Sequence, residues 1–245
     1  MEKASSLFEN LYKCIRQTAL SDPYKAADET YYKILVPEKN SKGKGVRKGY
    51  LWVVVGINTR MIYLLYDDGS RSEKVILNEL GGCKGIIQSD GYSPYRKLES
   101  DAYPHITRIP CLQHIKRKFI DCGEDEPDAK RIVELINTLY QNEHKHKIGV
   151  DGWTVEQNLV HRKKYAPDIL GEIKDVLDDI EERGDLLPKS ELKEAVTYLR
   201  NEWNAVVDIF NYGDTYLDNN IVERMNRYIS LSRKNSLFFG SHKGA

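Results

Sequence analysis

Three acidic residues stand where carboxylates could hold divalent cations. Asp28 lies at the head of the first predicted strand, Asp90 at the tail of a later apolar strand, and Glu223 inside a predicted helix. Carboxylates at the ends of neighbouring strands can converge, and a helix packed on the sheet can supply a third. Clustered carboxylates repel one another unless a cation lies between them. Such a trio offers the hard oxygen ligands that two Mg²⁺ ions require for phosphoryl transfer.

The same residues also have an ordinary structural interpretation. An Asp at a strand end is commonly a turn or capping residue, and Asp90-Gly91 is a turn signal. Glu223 is spaced to pair with Arg227 one helical turn away. Spacing alone leaves both interpretations open.

The strands that would position these acids follow from runs of apolar and β-branched residues. They are predicted at 31–36, 51–57, 61–66, 85–89 and 105–109. Asn58-Thr59-Arg60 has the length of a hairpin connection. The segment 38–49 contains five basic residues and three glycines, which predicts an exposed loop.

Helical periodicity dominates the rest of the chain. Helices are predicted within 1–22, 71–80, 111–121, 128–148 and 154–183, after a Ser190 cap, and after an Asp218 cap. In the first, Leu7, Leu11 and Ile15 lie one turn apart. Pro167 either interrupts the 154–183 segment or begins a second helix there. Strands followed by helices predict an α/β protein with a mixed sheet and a helical insertion.

Charge is distributed unevenly, although the 245-residue chain has 37 basic and 37 acidic residues. Residues 121–218 contain 23 acidic and 12 basic residues, so the remainder is basic, as expected of a protein that binds a polyanion.

The sequence has neither an apolar run long enough to span a membrane nor an N-terminal signal core. Its four cysteines are irregularly spaced. We therefore expect a cytoplasmic protein with reduced thiols and no membrane partner.

Six sequence blocks in order resemble the catalytic domain of the insertion sequence 66 family of bacterial DDE transposases. The blocks are Asp28-Glu29-Thr30, Gly49-Tyr50-Leu51-Trp52-Val53, Asp90-Gly91-Tyr92, Cys111-x-x-His114 with Arg117-Lys118-Phe119, Asp218-Asn219-Asn220-x-x-Glu223-Arg224, and Arg233-Lys234-Asn235 with Gly240-Ser241. The resemblance runs from about residue 24 to the end. It implies a ribonuclease-H-like core, a mixed sheet flanked by helices, with an all-helical insertion before the last catalytic acid. The corresponding parts are 1–22 as a leading helix, 23–120 as the first part of the core, 121–217 as the acidic insertion, and 218–245 as the end of the core.

The resemblance also implies the site residues and the reaction. Asp28, Asp90 and Glu223 would be the catalytic acids and would bind Mg²⁺, with Mn²⁺ as a substitute. The enzyme would cleave phosphodiesters at transposon ends and transfer the freed 3′-OH to target DNA. The DNA-binding residues would be Lys44, Arg47, Lys48, His114, Arg117, Lys118, Asn220, Arg224, Arg227, Arg233 and Lys234.

Partners implied by the family are transposon-end and target DNA, further copies of the chain on paired ends, and accessory proteins of the same element. Family members carry a long N-terminal DNA-binding region that residues 1–22 are too short to hold, and they often have proline where this chain has Tyr228. Two alternatives are a nuclease of the same fold that only hydrolyses, and a truncated or domesticated remnant that binds without cutting. The presence of all three acids favours a competent site.

Cys111-x-x-His114 also suggests half of a zinc site. Cys122 and the His144/His146 pair are the residues that could complete it. The preferred interpretation places His114 near the active centre. Its ordinary alternative is a histidine at a helix start that packs beside Arg117.

Overall fold

A computed structural model describes residues 7–38, 45–236 and 239–241 of the chain. The chain forms two compact units. One, which we call the sheet unit, comprises the residues up to Arg108 together with those from Asn219 onward. The other, the helical unit, runs from Ile109 to Asp218.

The described residues form five strands and eight α-helices. In chain order these are α1 (Glu9–Ser21), β1 (Tyr24–Leu35), β2 (Val46–Gly56), β3 (Ile62–Tyr66), α2 (Glu73–Leu80), β4 (Gly85–Ser89), α3 (Ser93–Arg96), β5 (Ile106–Pro110), α4 (Leu112–Asp121), α5 (Pro127–Glu143), α6 (Val155–Arg183), α7 (Glu191–Ile209) and α8 (Asn220–Asn235). None of the described helices combines the length and apolar character needed to cross a membrane.

The five strands form one mixed sheet in the order β3-β2-β1-β4-β5. β1 pairs antiparallel with β2 and parallel with β4, and β2 pairs antiparallel with β3. β4 begins at Gly85, whose φ is +90°, and a Cβ at this position would lie 2.2 Å from the Pro23 carbonyl oxygen. Glycine at the start of β4 therefore allows the two parallel strands to approach each other.

The two faces of the sheet are covered differently. On one face, Ala27, Trp52 and Ile87 pack in a core that includes α2 residues Ile76 and Leu80. On the other, Ala26 and neighbouring β2 residues pack against Val222 and Ile229 of α8. Because side chains alternate along a strand, successive β1 residues enter different cores. This fold is the predicted α/β, ribonuclease-H-like arrangement, with a helical segment before Glu223.

The helical unit contains α4 to α7, which the sequence periodicity predicted. Ile132, Leu135, Ile136 and Leu139 are all buried, as their common face requires. Pro167 lies inside a single continuous α6 of 29 residues, so it neither splits nor begins a helix. Ala166 and Ile169, on either side of Pro167, are buried. The packing of such residues can offset the loss of the backbone hydrogen bond that proline removes.

Three local predictions are wrong. β1 begins at Tyr24, so Asp28 lies inside the strand and not at its head. Arg47 and Lys48 belong to β2 and not to an exposed loop. The N-cap of α8 is Asn219 and not Asp218. In α1 the helix is as predicted, but Leu11 is 55% exposed and the buried residue is Ala19.

Candidate active site

Two neighbouring strands place Asp28 and Asp90. Ala26 of β1 is paired with Gln88 of β4, and each acid lies two residues further along its own chain segment. A two-residue step returns a side chain to the same face of a sheet. The Asp90 carboxylate is close enough to Asp28 to raise its pKa, so the parallel pairing brings these two acids together.

α8 supplies Glu223 to the same unit. Val222 is fully buried against the sheet, and Glu223 follows it in the first turn of the helix. Asn219, 2% exposed, donates a hydrogen bond from Nδ2 to the Ala27 carbonyl oxygen at 3.1 Å. This bond fastens the start of α8 to β1 directly beside Asp28. Glu223 is half-buried and contributes to the raised pKa of Asp28.

Asp28 is the electrostatic centre of this arrangement. Burial raises its pKa to about 8, and the charges of Asp90, Glu29 and Glu223 act in the same direction. The Glu29 backbone N–H opposes them by donating to Asp28 Oδ1 at 2.9 Å. The side-chain amide of Asn226 donates to Oδ2. Asp28 is thus electrostatically coupled to each of the other two predicted acids.

The three carboxylates are not close enough together to bind one common ion. Their oxygen atoms do not all lie within 4.8 Å of one another, although all three residues belong to the described part of the chain. One ion shared by all three acids is therefore not the arrangement present. A two-cation site needs only pairs of neighbouring carboxylates, with one acid common to both ions.

Asp90 directly follows β4, and hydrogen bonds to its backbone also fix its position. Arg108, 1% exposed, donates from Nη2 to the Asp90 carbonyl oxygen at 2.8 Å and from Nε to Ser89 Oγ at 3.0 Å. The Tyr92 N–H donates to Asp90 Oδ1 at 3.1 Å, which is the turn-type bond expected of Asp-Gly. The turn interpretation therefore accounts for one carboxylate oxygen of Asp90.

Glu29 points to the opposite face of β1 from Asp28 and forms an ion pair there with Arg71. Its side chain is 4% exposed and accepts hydrogen bonds from Arg71 Nε at 3.0 Å and from the Tyr95 hydroxyl at 3.3 Å. The Arg71 guanidinium also lies over the Tyr92 ring, 4.1 Å from its centroid. Adjacent acids on one strand thus have different surroundings, one paired with arginine and the other grouped with further acids.

The predicted DNA-binding residues fall into several places. On α8, Asn220, Arg224, Arg227 and Lys234 are exposed. Arg233 is half-buried and donates to the Tyr31 carbonyl oxygen at 2.8 Å. The others are exposed Arg47 and Lys48 on β2, exposed Arg117 and Lys118 and half-buried His114 on α4 of the helical unit, and Lys44, which lies outside the described residues.

Comparison with known proteins decides the family. Over residues 1–245 the sequence matches the Transposase IS66 family. The chain belongs to this family.

Two curated relatives come from Sinorhizobium fredii. The sequence is 30% identical over 182 residues to the protein named uncharacterized protein y4jD, an alignment that covers 71% of this chain and 34% of the relative. It is 29% identical over 233 residues to uncharacterized protein y4qI, covering 89% of this chain and 41% of the relative. The chain therefore spans between about a third and two fifths of the length of these relatives.

The zinc interpretation gains no support within the helical unit of this IS66-family chain. Within residues 109–218, all of which the structure describes, no three Cys, His, Asp or Glu side chains of this unit alone come together as a metal site. Cys111 is 1% exposed at the N-cap of α4, and none of the four cysteines, all of which the structure describes, forms a disulfide. His146 stacks on Trp153, with ring centroids 3.8 Å apart.

Sequence reasoning missed three residues that contact the acids or fix their backbone: Asn226, Asn219 and Arg108. Asn226 interrupts the buried stripe of α8 between Val222 and Ile229, and a polar residue in an apolar stripe is a usable signal. Asn219 and Arg108 gave no such signal. Asn219 bonds to Ala27, which is 192 positions away in sequence, and Arg108 bonds to Asp90, which follows a different strand.

The raised pKa of Asp28 predicts a pH-dependent stability of the metal-free protein. Deprotonation of Asp28 is harder in the folded state, where its pKa is about 8, than in the unfolded chain, where it is near 3.8. The folded state therefore loses stability as pH rises through this window. We expect Asp28→Asn to stabilise the protein relative to wild type by more at pH 8.5 than at pH 5, as measured by urea denaturation in EDTA.

Added Mg²⁺ should recover the wild-type loss at pH 8.5, because a ligand of the folded state stabilises it. Asp28→Asn should respond less to Mg²⁺. An equal stability difference between the two proteins at both pH values would contradict the assignment of Asp28 as a partly desolvated carboxylate repelled by its neighbours.

Proposed function

We propose that this chain is the catalytic core of a DNA transposase, which cleaves phosphodiesters at transposon ends and joins the freed 3′-OH to target DNA. The observation that carries the proposal is the placement of Asp28 within β1, of Asp90 directly after the paired strand β4, and of Glu223 in the first turn of α8, which Asn219 fastens to β1. The neighbouring acids accordingly raise the pKa of Asp28. Membership of the Transposase IS66 family supports the same reaction.

The donor set fits divalent cations. Carboxylate oxygens are the ligands that Mg²⁺ and Mn²⁺ prefer, and Asp28 is half-buried and close to like charges. Such a cluster gains stability from a bound cation, which removes the repulsion between the acids. When bound, Mg²⁺ or Mn²⁺ would neutralise phosphate charge and strengthen the attacking oxygen nucleophile.

Each acid has a distinct part in this proposal. Asp28 would hold the cations together with its neighbours. Asp90, whose backbone is held by Arg108, would supply a second carboxylate. Glu223 would supply a third from α8. Because these groups only hold and orient, no serine or cysteine nucleophile and no covalent protein intermediate are required.

The predicted basic and polar residues would bind the DNA backbone. Arg224 and Arg227 lie on the exposed side of the helix that carries Glu223, so phosphates bound there would lie beside the acids. The remaining proposed contacts are Lys44, Arg47, Lys48, His114, Arg117, Lys118, Asn220, Arg233 and Lys234. Contacts of this kind add salt-dependent affinity and positioning rather than sequence specificity.

The partners would be transposon-end DNA and target DNA. A homo-oligomer would form on paired ends, since two ends must be joined together. Accessory proteins of the same element are further proposed partners.

A strand-transfer assay tests the function. The purified chain is incubated with Mn²⁺, labelled pre-cleaved ends of the element that encodes it, and supercoiled target DNA. We expect labelled ends joined to the target. Nicked target without joined product would instead identify a hydrolytic nuclease, and DNA binding without any cleavage would identify a remnant.

A further inference from the structure

Asn226 occupies an unusual position on α8. It lies four residues after Val222 and three before Ile229, so it belongs to the stripe that faces the sheet. Val222 is 0% and Ile229 is 9% exposed, and both pack in the apolar core on that face. An amide in such a stripe is unfavourable unless its polar atoms are bonded.

Only one end of this amide is bonded. Nδ2 donates to Asp28 Oδ2, whereas Oδ1 is buried and has no hydrogen-bond partner among the described residues. Buried side-chain oxygens are seldom left in this state, and each exception calls for an explanation such as an ion. The unbonded atom, Asn226 Oδ1, is a hard oxygen. It belongs to the same amide group whose nitrogen bonds to the Asp28 carboxylate.

We propose that Asn226 is a further oxygen ligand of the divalent-cation site, alongside Asp28. A half-turn of the amide exchanges its nitrogen and oxygen. The same side chain can then either donate to the Asp28 carboxylate or offer an oxygen to a cation that this carboxylate holds. Amide oxygens are accepted ligands of hard cations. This inference rests on the proposed function only in requiring that Asp28 binds a cation.

Calorimetric titration of Mn²⁺ into the full chain, without DNA, tests the ligand role. Asn226→Leu keeps the size of the side chain but removes both polar ends, and we expect it to weaken Mn²⁺ binding by roughly 10- to 100-fold. Asn226→Asp keeps an oxygen and loses the donor, and we expect it to bind Mn²⁺ at least as tightly as wild type. If Asn226 were only a donor that orients Asp28, both variants would bind weakly.

Tyr228→Asp is the matched control for added charge, because Tyr228 is 67% exposed on the same helix. It should leave Mn²⁺ affinity within about threefold of wild type, since exposed charges interact weakly. Thermal melts without metal establish that each variant is folded. If Asn226→Leu does not fold, Asn226→Asp still decides.

Unchanged affinity in Asn226→Leu, or weakened affinity in Asn226→Asp, would overturn the ligand role. Absence of Mn²⁺ binding by wild type would overturn it together with the metal site. If wild type binds Mn²⁺ and the variants behave as expected while strand transfer fails, the ligand assignment stands and the transposase proposal does not.

Discussion

Asp28→Asn is expected to lower the rate of strand transfer on the order of 1,000-fold or more, because cation-assisted stabilisation of a phosphoryl transition state amounts to several kcal/mol. Asparagine has nearly the same shape as aspartate but lacks the charge that would hold both cations. The substitution also removes a half-buried carboxylate whose pKa is raised to about 8. The inactive variant should therefore be folded and, without metal, at least as stable as wild type.

Glu73→Gln is the matched control for loss of an acid from the sheet unit. Glu73 is 48% exposed and pairs with Lys97. Its replacement should leave strand transfer within about twofold of wild type, because exposed ion pairs contribute little. Joined product is quantified at a fixed Mn²⁺ concentration for all three proteins. Activity of Asp28→Asn within tenfold of wild type would show that Asp28 does not hold the cations.

Arg162→Met is expected to destabilise the helical unit by about 3–5 kcal/mol, the usual cost of removing one partner of a buried ion pair. Arg162 is 1% exposed and forms a two-bond ion pair with Glu143, at 2.7 and 2.6 Å. It also donates to Thr215 Oγ1 at 2.7 Å and to the Thr215 carbonyl oxygen at 2.6 Å. Methionine fills the space but removes the donor of the two Thr215 oxygens and the charged partner of the Glu143 carboxylate, which keeps a hydrogen bond from the Tyr165 hydroxyl.

Urea denaturation read by hydrogen–deuterium exchange measures this effect for each unit separately. Amides of α5 and α6 should lose protection at lower urea in Arg162→Met, while those of β1 and β2 should not. Arg131→Met is the control, since Arg131 is 50% exposed and pairs with Glu172 at the surface. Its effect should be about 0–1 kcal/mol. Equal effects of the two substitutions would show that the buried bonds of Arg162 do not stabilise the helical unit.

The parts of the fold with clean apolar patterns were predictable. β4 and the β2–β3 hairpin follow from uninterrupted apolar runs bounded by glycine and polar residues. The first half of β1 was missed because it contains charged residues, which are rare in strands. Lys25 shows why this is tolerated. It is fully buried, yet its amine donates to the carbonyl oxygens of Asp22 and Lys84.

The candidate site was predictable in its acids but not in their support. Sequence patterns and a family resemblance pointed to Asp28, Asp90 and Glu223. They did not predict the side chains that contact these acids or fix their backbone. Asn219 illustrates the reason. Local rules predict that a polar residue before a helix caps it, but the Asn219 side chain instead bonds to Ala27, 192 positions away in sequence. Such a choice depends on tertiary structure.

The alternation of Asp28 and Glu29 makes the site intolerant of insertions. The two acids point to opposite faces of β1, and only Asp28 faces Asp90 and α8, whereas Glu29 is bonded to Arg71. β1 is held in position by eleven consecutive pairings with β2, from Lys25 to Leu35. A one-residue insertion or deletion early in β1 would exchange the two acids between faces. A chain with such a change could retain both carboxylates in its sequence and still lack the arrangement proposed here to bind cations.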